Sequence, residues 1–301
     1  MFRRALFHRP AKEPKDTYQI EIFFFYHYTK TCYFYQIIDL EKLETRKNIY
    51  FLSDFHLGVP TKEESLVREK LVVQFLNEIE DKAVEIFIVG DIFDFWYEYK
   101  YVVPRGYTRL LGKLAELSDL GIKLHFFVGN HDMWVTNYFQ QELNMEVYFE
   151  PQSFERSGKK FLVGHGDGLG PGDKGYKRLK KVFRNPFCQW AFGVLPPVIG
   201  MGLANYFSRR SRAKTSHVEE TFFGEENEWL IIYSKKILKE KSYNFFIFGH
   251  RHLPIDYRLS ENSRYINLGE WMNFFTYAVF DGNDVQLLSF LGKEHKIVRN
   301  Y

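Results

Sequence analysis

From position 48 onward, apolar runs alternate with amphipathic stretches, and each run ends in a short polar cluster. Residues 49–52 are apolar throughout, the pattern of a strand buried on both faces, and they run into Asp54 and His56. Thr61 and Glu64 have the spacing of a capping box, and Leu71, Phe75 and Ile79 then recur at i, i+4 and i+8, which predicts a helix. A second strand over 85–89 meets Gly90 and Asp91. A helix over 107–120, ended by Gly121, precedes a third strand over 123–128 that meets Gly129, Asn130, His131 and Asp132. Short strands over 153–156 and 160–163 lead to Gly164, His165 and Asp167; a helix over 219–239 and a strand over 244–248 lead to Gly249, His250 and His252. Alternation of the β kind over 264–268, 275–280 and 285–290 points to a second sheet packed on the first. Strands that alternate with helices pair in parallel, and in such sheets ligands gather at the carboxyl ends of the strands. Every polar cluster falls at such an end.

The first 46 residues break this regularity. Aromatic clumps at 23–28 and 33–38 have neither helical nor strand periodicity, no apolar core of a signal peptide follows the basic start, and the uncharged stretches are far too short to span a bilayer. Residues 1–46 therefore read as an N-terminal extension outside the fold, with a short membrane-surface anchor as the alternative. The chain of 301 residues is long enough for one large domain with an insertion, and its aromatic content of 19% is heavy. Two cysteines, Cys32 and Cys188, give neither a disulfide framework nor a thiolate metal site, which suits a reducing, cytoplasmic setting.

Charge changes the picture more than composition does. The net charge is +3, yet residues 174–214 carry ten Lys and Arg and no acid, leaving the remainder of the chain at −7. A basic island on an acidic body argues for a local anionic ligand, a phosphate or a lipid headgroup, and against a nucleic-acid partner. If 174–184 is helical, Lys177, Lys181 and Arg184 share one face, while Tyr176, Leu179 and Phe183 share another. The uncharged stretch 185–208 that follows is rich in Phe, Trp, Leu and Val, but Pro196 and Pro197 divide it into two short helices, an apolar lid.

The side chains at the strand ends are carboxylates, imidazoles and a carboxamide, a donor set for divalent ions of borderline hardness. Two such ions held close together make a water-derived nucleophile available at neutral pH and neutralise charge on a phosphoryl group. The five clusters resemble the signature of the calcineurin-like metallophosphoesterases, D-x-H, G-D-x-x-D, G-N-H-D/E, a later histidine and G-H-x-H, from about residue 48 to the C-terminus.

That resemblance implies an α/β fold, a two-sheet α/β/β/α sandwich, formed by residues 47–301 with a helical lid inserted at about 169–215. It implies two divalent ions, Mn2+ foremost with Fe or Zn as alternatives. Asp54, His56, Asp91 and His252 would hold the first; Asp91, Asn130, His165 and His250 would hold the second, with Asp91 shared. Asp94, Asp132 and Asp167 would stand behind the ligands and orient histidines. His131 is no ligand in that scheme, and two catalytic roles stay open for it: a general acid with Asp132 as its orienting partner, or a group that positions phosphate. His125, inside a predicted strand, reads as packed.

The lid region resembles one branch of that family, the UDP-2,3-diacylglucosamine diphosphatases of lipid A biosynthesis. The likeness is carried by Asp173, Gly175 and Tyr176, the basic helix, Asn185-Pro186, Gln189-Trp190, residues 209–212, and Trp96 shortly after Asp91. It implies an amphiphilic nucleotide-sugar lipid as substrate and a cytoplasmic enzyme peripheral on the inner membrane. Trp96, Asp173, Tyr176, Lys177, Lys181, Arg209, Arg210 and Arg212 would touch the substrate. The best-known members of the branch have arginine where this chain has His131, so the match is to a divergent group. Two alternatives remain: a phosphoesterase acting on another amphiphilic or nucleotide substrate, and a non-catalytic membrane-binding scaffold on the same fold.

Overall fold

A computed structural model describes residues 46–172, 174–215 and 221–301. The expected N-terminal extension, Arg46 apart, lies outside the described residues, as does Asp173.

Two six-stranded mixed sheets face each other. The first contains β1 (Asn48–Leu52), β2 (Ala83–Ile88), β3 (Lys123–Phe127) and β4 (Glu146–Tyr148), all parallel, with β10 (Thr276–Phe280) and β11 (Val285–Ser289) added antiparallel beyond β1; the order is β11-β10-β1-β2-β3-β4. The second contains β5 (Gln152–Arg156), β6 (Lys159–Gly164), β7 (Phe245–Phe248), β8 (Pro254–Ser260), β9 (Ser263–Leu268) and β12 (Val298–Arg299), in the order β12-β8-β9-β7-β6-β5.

The strands are apolar at consecutive positions because both faces are covered. Ile49, Phe51, Phe87 and Phe127 of the first sheet meet Phe161, Val163, Phe245 and Ile247 of the second in one buried layer. The Phe51 ring lies 4.9 Å from that of Phe87 and 6.1 Å from that of Phe161 across the sheets. Tyr50, Leu52, Ile86 and Ile88 point the other way, onto α1 (Lys62–Ile79), α2 (Thr108–Asp119) and α3 (Tyr138–Leu143). Phe246 and Phe248 point outward from the second sheet, onto α7 (Trp229–Leu238). Each such side chain contributes about 1.5–3 kcal/mol on burial, so this layer is where much of the phenylalanine is used. The layering is the two-sheet sandwich with outer helices that the motifs implied.

The Thr61 half of the capping box is formed, the Glu64 amide donating to Thr61 Oγ1 at 3.2 Å, while the Glu64 side chain accepts from the Thr61 hydroxyl at 3.1 Å. His125 is packed, its ring stacked 4.1 Å from that of Phe87 and its Nε2 3.2 Å from Glu85. One expected helix is much shorter than the pattern suggested. Instead of 219–239 it is α7, Trp229–Leu238, because Gly224 turns the chain with φ +85° and Glu228 is buried beside Arg251.

The region after β6 carries α4 (Lys174–Phe183), α5 (Pro186–Gly193) and α6 (Pro197–Thr215), with the break between the last two at Pro196 and Pro197. Among the described residues no helix is long and apolar enough to cross a membrane.

Candidate metal centre

Five of the residues at the strand ends have an unusual backbone: Asp54, His56, Asp91, His250 and His252 have φ between 45° and 64°. The left-handed region costs roughly 1–2 kcal/mol for a residue with a Cβ, and such conformations persist where neighbours impose them. Here they do. The Asp54 amide donates to Gly90 O at 3.0 Å, the His56 amide to Asp91 O at 3.0 Å, the His250 amide to Asp54 Oδ2 at 3.0 Å, and the Trp271 amide to Asp54 O at 3.1 Å. The glycines of the motifs clear room for this convergence. A Cβ on Gly129 would lie 2.6 Å from the Asp91 amide nitrogen, and one on Gly90, already at φ +89°, would lie 2.6 Å from Cγ of His165.

The turns bring side chains from both sheets to one point. His56 Nε2 and His252 Nε2 are 2.9 Å apart; Asp54 Oδ1 is 3.4 Å from the first and 3.2 Å from the second, and Asp91 Oδ2 is 3.8 Å from His56 Nε2. These four form a compact buried group of potential metal ligands. On the other side of Asp91, His165 Nε2 is 3.4 Å from the same Oδ2 and 3.1 Å from Asn130 Oδ1, while the His250 ring lies 5.2 Å from that of His165. Asp91 thus stands between the two sets.

The donor set fits divalent cations on its own chemistry. Asp54 Oδ1 and Asp91 Oδ2 are buried with no hydrogen-bond donor. Burial would raise the Asp91 carboxyl, but the nearby charges of His165 and His131 hold it far below the usual range. Burial likewise opposes charge on His165, yet Asp91, Asp54 and Asp167 push it up to about 10. Buried carboxylates demand positive charge. A protonated imidazole meets that demand partly; a divalent cation meets it fully and leaves the nitrogens free to ligate.

The structure corrects the expected supporting roles. Asp132 does not orient His131: its oxygens accept the Gly129 amide at 2.7 Å and the Ile92 amide at 2.9 Å, and burial with the Asp91 charge pushes its carboxyl up to about 8. It shapes the turn. His131 leans instead on Asp94, its Nδ1 2.9 Å from the Asp94 carbonyl and 3.5 Å from Oδ1, and its amide donates to Asp91 Oδ1 at 2.8 Å. Asp167 is turned to the lid, where Tyr176 donates to it at 2.6 Å and Lys180 pairs with it at 2.5 Å. Trp96, expected to touch substrate, is 0% exposed, stacked 4.4 Å from Phe93 and against Phe139, so it is core and contacts no ligand there.

Of the other expected substrate residues, Tyr176 stands 6.4 Å ring to ring from His250, Lys177 donates to Gly170 O at 2.6 Å, and Lys181 is exposed. Asp173 and the side chains of Arg209, Arg210 and Arg212 lie outside what is described. Lys180 was missed, although its place one turn after Tyr176 puts it on the same helical face. Ser208, whose hydroxyl donates to Asp94 Oδ2, was missed too, and no local pattern signals it. The lid is also fastened to the body by aromatic residues. Trp134 Nε1 donates to Phe183 O at 2.7 Å, Tyr97 donates to Gln189 O at 2.8 Å, and the Phe192 ring sits 4.5 Å from that of Trp134.

Residues 47–254 match the family model of the calcineurin-like phosphoesterases. A similar protein is the UDP-2,3-diacylglucosamine hydrolase of Porphyromonas gingivalis, 40% identical over 256 residues that make up 81% of this chain and 98% of the relative. Proteins of the same name from Histophilus somni and Nitrosococcus oceani are 27% and 28% identical, over 75% and 74% of this chain and 92% and 86% of theirs. Two sheets whose strand ends converge on a buried Asp/His cluster, within a match of that extent, lead to one assignment: the chain belongs to the calcineurin-like phosphoesterases and is a metal-dependent phosphoester or phosphoanhydride hydrolase.

Proposed function

We propose that this enzyme cleaves the pyrophosphate of UDP-2,3-diacylglucosamine, the compound in its relatives' names, to UMP and 2,3-diacylglucosamine 1-phosphate. The observation that carries the reading is the lid, residues 169–215. It joins a basic, acid-free stretch and exposed apolar side chains, Phe187 at 69% and Trp190 at 65%, to carboxylates beside the metal ligands. An amphiphile needs both surfaces. Each buried methylene is worth about 0.8 kcal/mol, so even partial cover of an acyl chain outweighs several polar contacts.

Asp54, His56, Asp91 and His252 would hold one divalent cation, and Asp91, Asn130, His165 and His250 a second; Mn2+ is the proposed metal, with Fe or Zn suited to the same donors. When bound, such ions neutralise charge developing on the phosphoryl oxygens and supply an activated water. The chain's own residues do the rest. Asp132, through the Gly129 and Ile92 amides, fixes the turn that presents Asn130 and His131. A carbonyl only accepts, so the Asp94 carbonyl keeps a proton on His131 Nδ1 and leaves Nε2 as the nitrogen that exchanges a proton with the leaving oxygen. Asp173, Tyr176, Lys177, Lys181, Arg209, Arg210 and Arg212 are proposed to meet the phosphates and sugar. The site would work at the cytoplasmic surface of the inner membrane, with residues 1–46 as an extension that chemistry does not require.

The test is direct. Manganese-loaded full-length protein is expected to release UMP from UDP-2,3-diacylglucosamine at least about 100-fold more efficiently than from UDP-glucosamine without acyl chains, a ratio that a few buried methylenes supply. Deletion of residues 1–45 should leave that rate unchanged. Equal efficiency on both substrates would remove the diacyl assignment while leaving the phosphoesterase intact.

A further inference from the structure

Asp94 touches the lid on one side and His131 on the other. Ser208 lies in α6, 114 positions along the chain, and its hydroxyl donates to Asp94 Oδ2. A serine inside a helix ordinarily turns its hydroxyl back to the carbonyl four residues earlier or out to water. This one crosses to another part of the molecule. The other carboxylate oxygen of Asp94 stands 3.5 Å from His131 Nδ1, and the Asp94 carbonyl is 2.9 Å from the same nitrogen. The His131 amide is already tied to Asp91 Oδ1, so the backbone of His131 is set by a metal-ligand residue. What remains to be set is the ring, and Asp94 sets it.

We infer that Ser208 is a positioning residue for the reaction: by bonding Asp94 from the lid helix, it holds the peptide and carboxylate that orient the His131 imidazole. Seating of the lid and alignment of His131 are thereby one event. The inference rests on the reading of His131 as the group that protonates the leaving oxygen, and the experiment separates the two.

Turnover of two soluble phosphodiesters, one with a nitrophenolate leaving group and one with an alkoxide, is measured for Ser208→Ala, Ser208→Thr, His131→Ala and the double variant Ser208→Ala/His131→Ala, all manganese-loaded. Ser208→Ala is expected to lower kcat about tenfold for the alkyl ester, with KM within twofold and the nitrophenyl ester nearly unaffected, because only a poor leaving group needs the proton. Ser208→Thr, which keeps the hydroxyl, should recover most of the loss. The double variant should be no slower than His131→Ala alone, since a residue that acts through another adds nothing once that other is gone. Nitrogen-15 spectra of the metal-free protein give an independent reading. The imidazole signal that disappears in His131→Ala should report a proton fixed on Nδ1 in the native chain and a tautomer mixture in Ser208→Ala. Losses that multiply in the double variant, or an unchanged tautomer, overturn the inference. If His131→Ala slows the alkyl ester and Ser208→Ala does not, the inference alone falls; if His131→Ala slows neither ester, both readings fall together.

Discussion

The strand-end loops and the lid helices meet at the same site but are built on opposite principles. In the loops, Asp54, His56 and Asp91 are buried, held by backbone bonds from adjacent strands, and left-handed at φ where a side chain resists it. In the lid, α4 and α5 contain no buried residue at all, and Val198 at the start of α6 is 87% exposed. The loops accept local strain to hold donors in a fixed array, as chemistry on phosphorus requires. The lid keeps apolar surface uncovered, as an interaction with apolar matter requires. Donors are fixed where atoms react, and apolar surface is left uncovered where a lipid would bind.

Two substitutions probe that contrast and a third tests the frame outside it, in order of decreasing effect. The largest effect is expected from Asp91→Ala, which removes the carboxylate between the two ligand sets; divalent metal content should fall at both positions and kcat should drop by about three orders of magnitude or more. Full activity with fewer than two metals per chain would break the contrast at its firmer end. Next comes Trp190→Asp in the lid, which puts a charge on an exposed apolar residue. The Michaelis constant for a diacylated substrate should rise about tenfold, equivalent to losing cover of roughly two methylenes, while a soluble phosphodiester is cleaved at the native rate. Equal damage to both substrates would make the lid ordinary structure.

The smallest effect belongs to neither region. Glu85, on β2, bonds His125 and takes a two-point bond from Arg156 of the other sheet at 2.8 and 2.9 Å. Burial would raise its carboxyl, but bonds from His125 and Arg156 lower it to about 2. Its folded value is below its unfolded one, so the contribution is complete above about pH 4.5 and is lost as pH falls toward 2. Glu85→Gln should cost about 1–2 kcal/mol at pH 7, allowing for solvent screening, with kcat unchanged. In urea denaturation the gap between variant and native chain should narrow between pH 4.5 and 2.

The same contrast explains what could be read from the sequence. Asp54, His56, Asp91, Asn130, His165, His250 and His252 could be located because each follows an apolar run, and a strand end is a place a one-dimensional pattern marks. Their supporting contacts could not be read that way, because these cross between elements. Nothing local tells that Asp132 spends its oxygens on amides 3 and 40 positions away, or that Asp94 meets a serine from α6. Trp96 misled for the same reason: proximity to Asp91 along the chain is not proximity to substrate when the ring stacks into Phe93. Among the elements, α3 and β4 were too short to have a period, whereas β8 had one, with Ile255, Tyr257 and Leu259 alternating behind Pro254.

The facing phenylalanine layers carry no directional bonds of their own; between the sheets such bonds come from the strand edges, as in Arg156 to Glu85, and from the strand-end loops, as in the His250 amide to Asp54. The ligand array straddles that seam: Asp54, His56, Asp91 and Asn130 follow strands of one sheet, His165, His250 and His252 follow strands of the other. Coordination would therefore add a further tie across the sandwich, at the end where donors from both sheets meet. By linkage, ions bound there would stabilise the folded chain, and divalent ion activity would then act on stability as well as on catalysis.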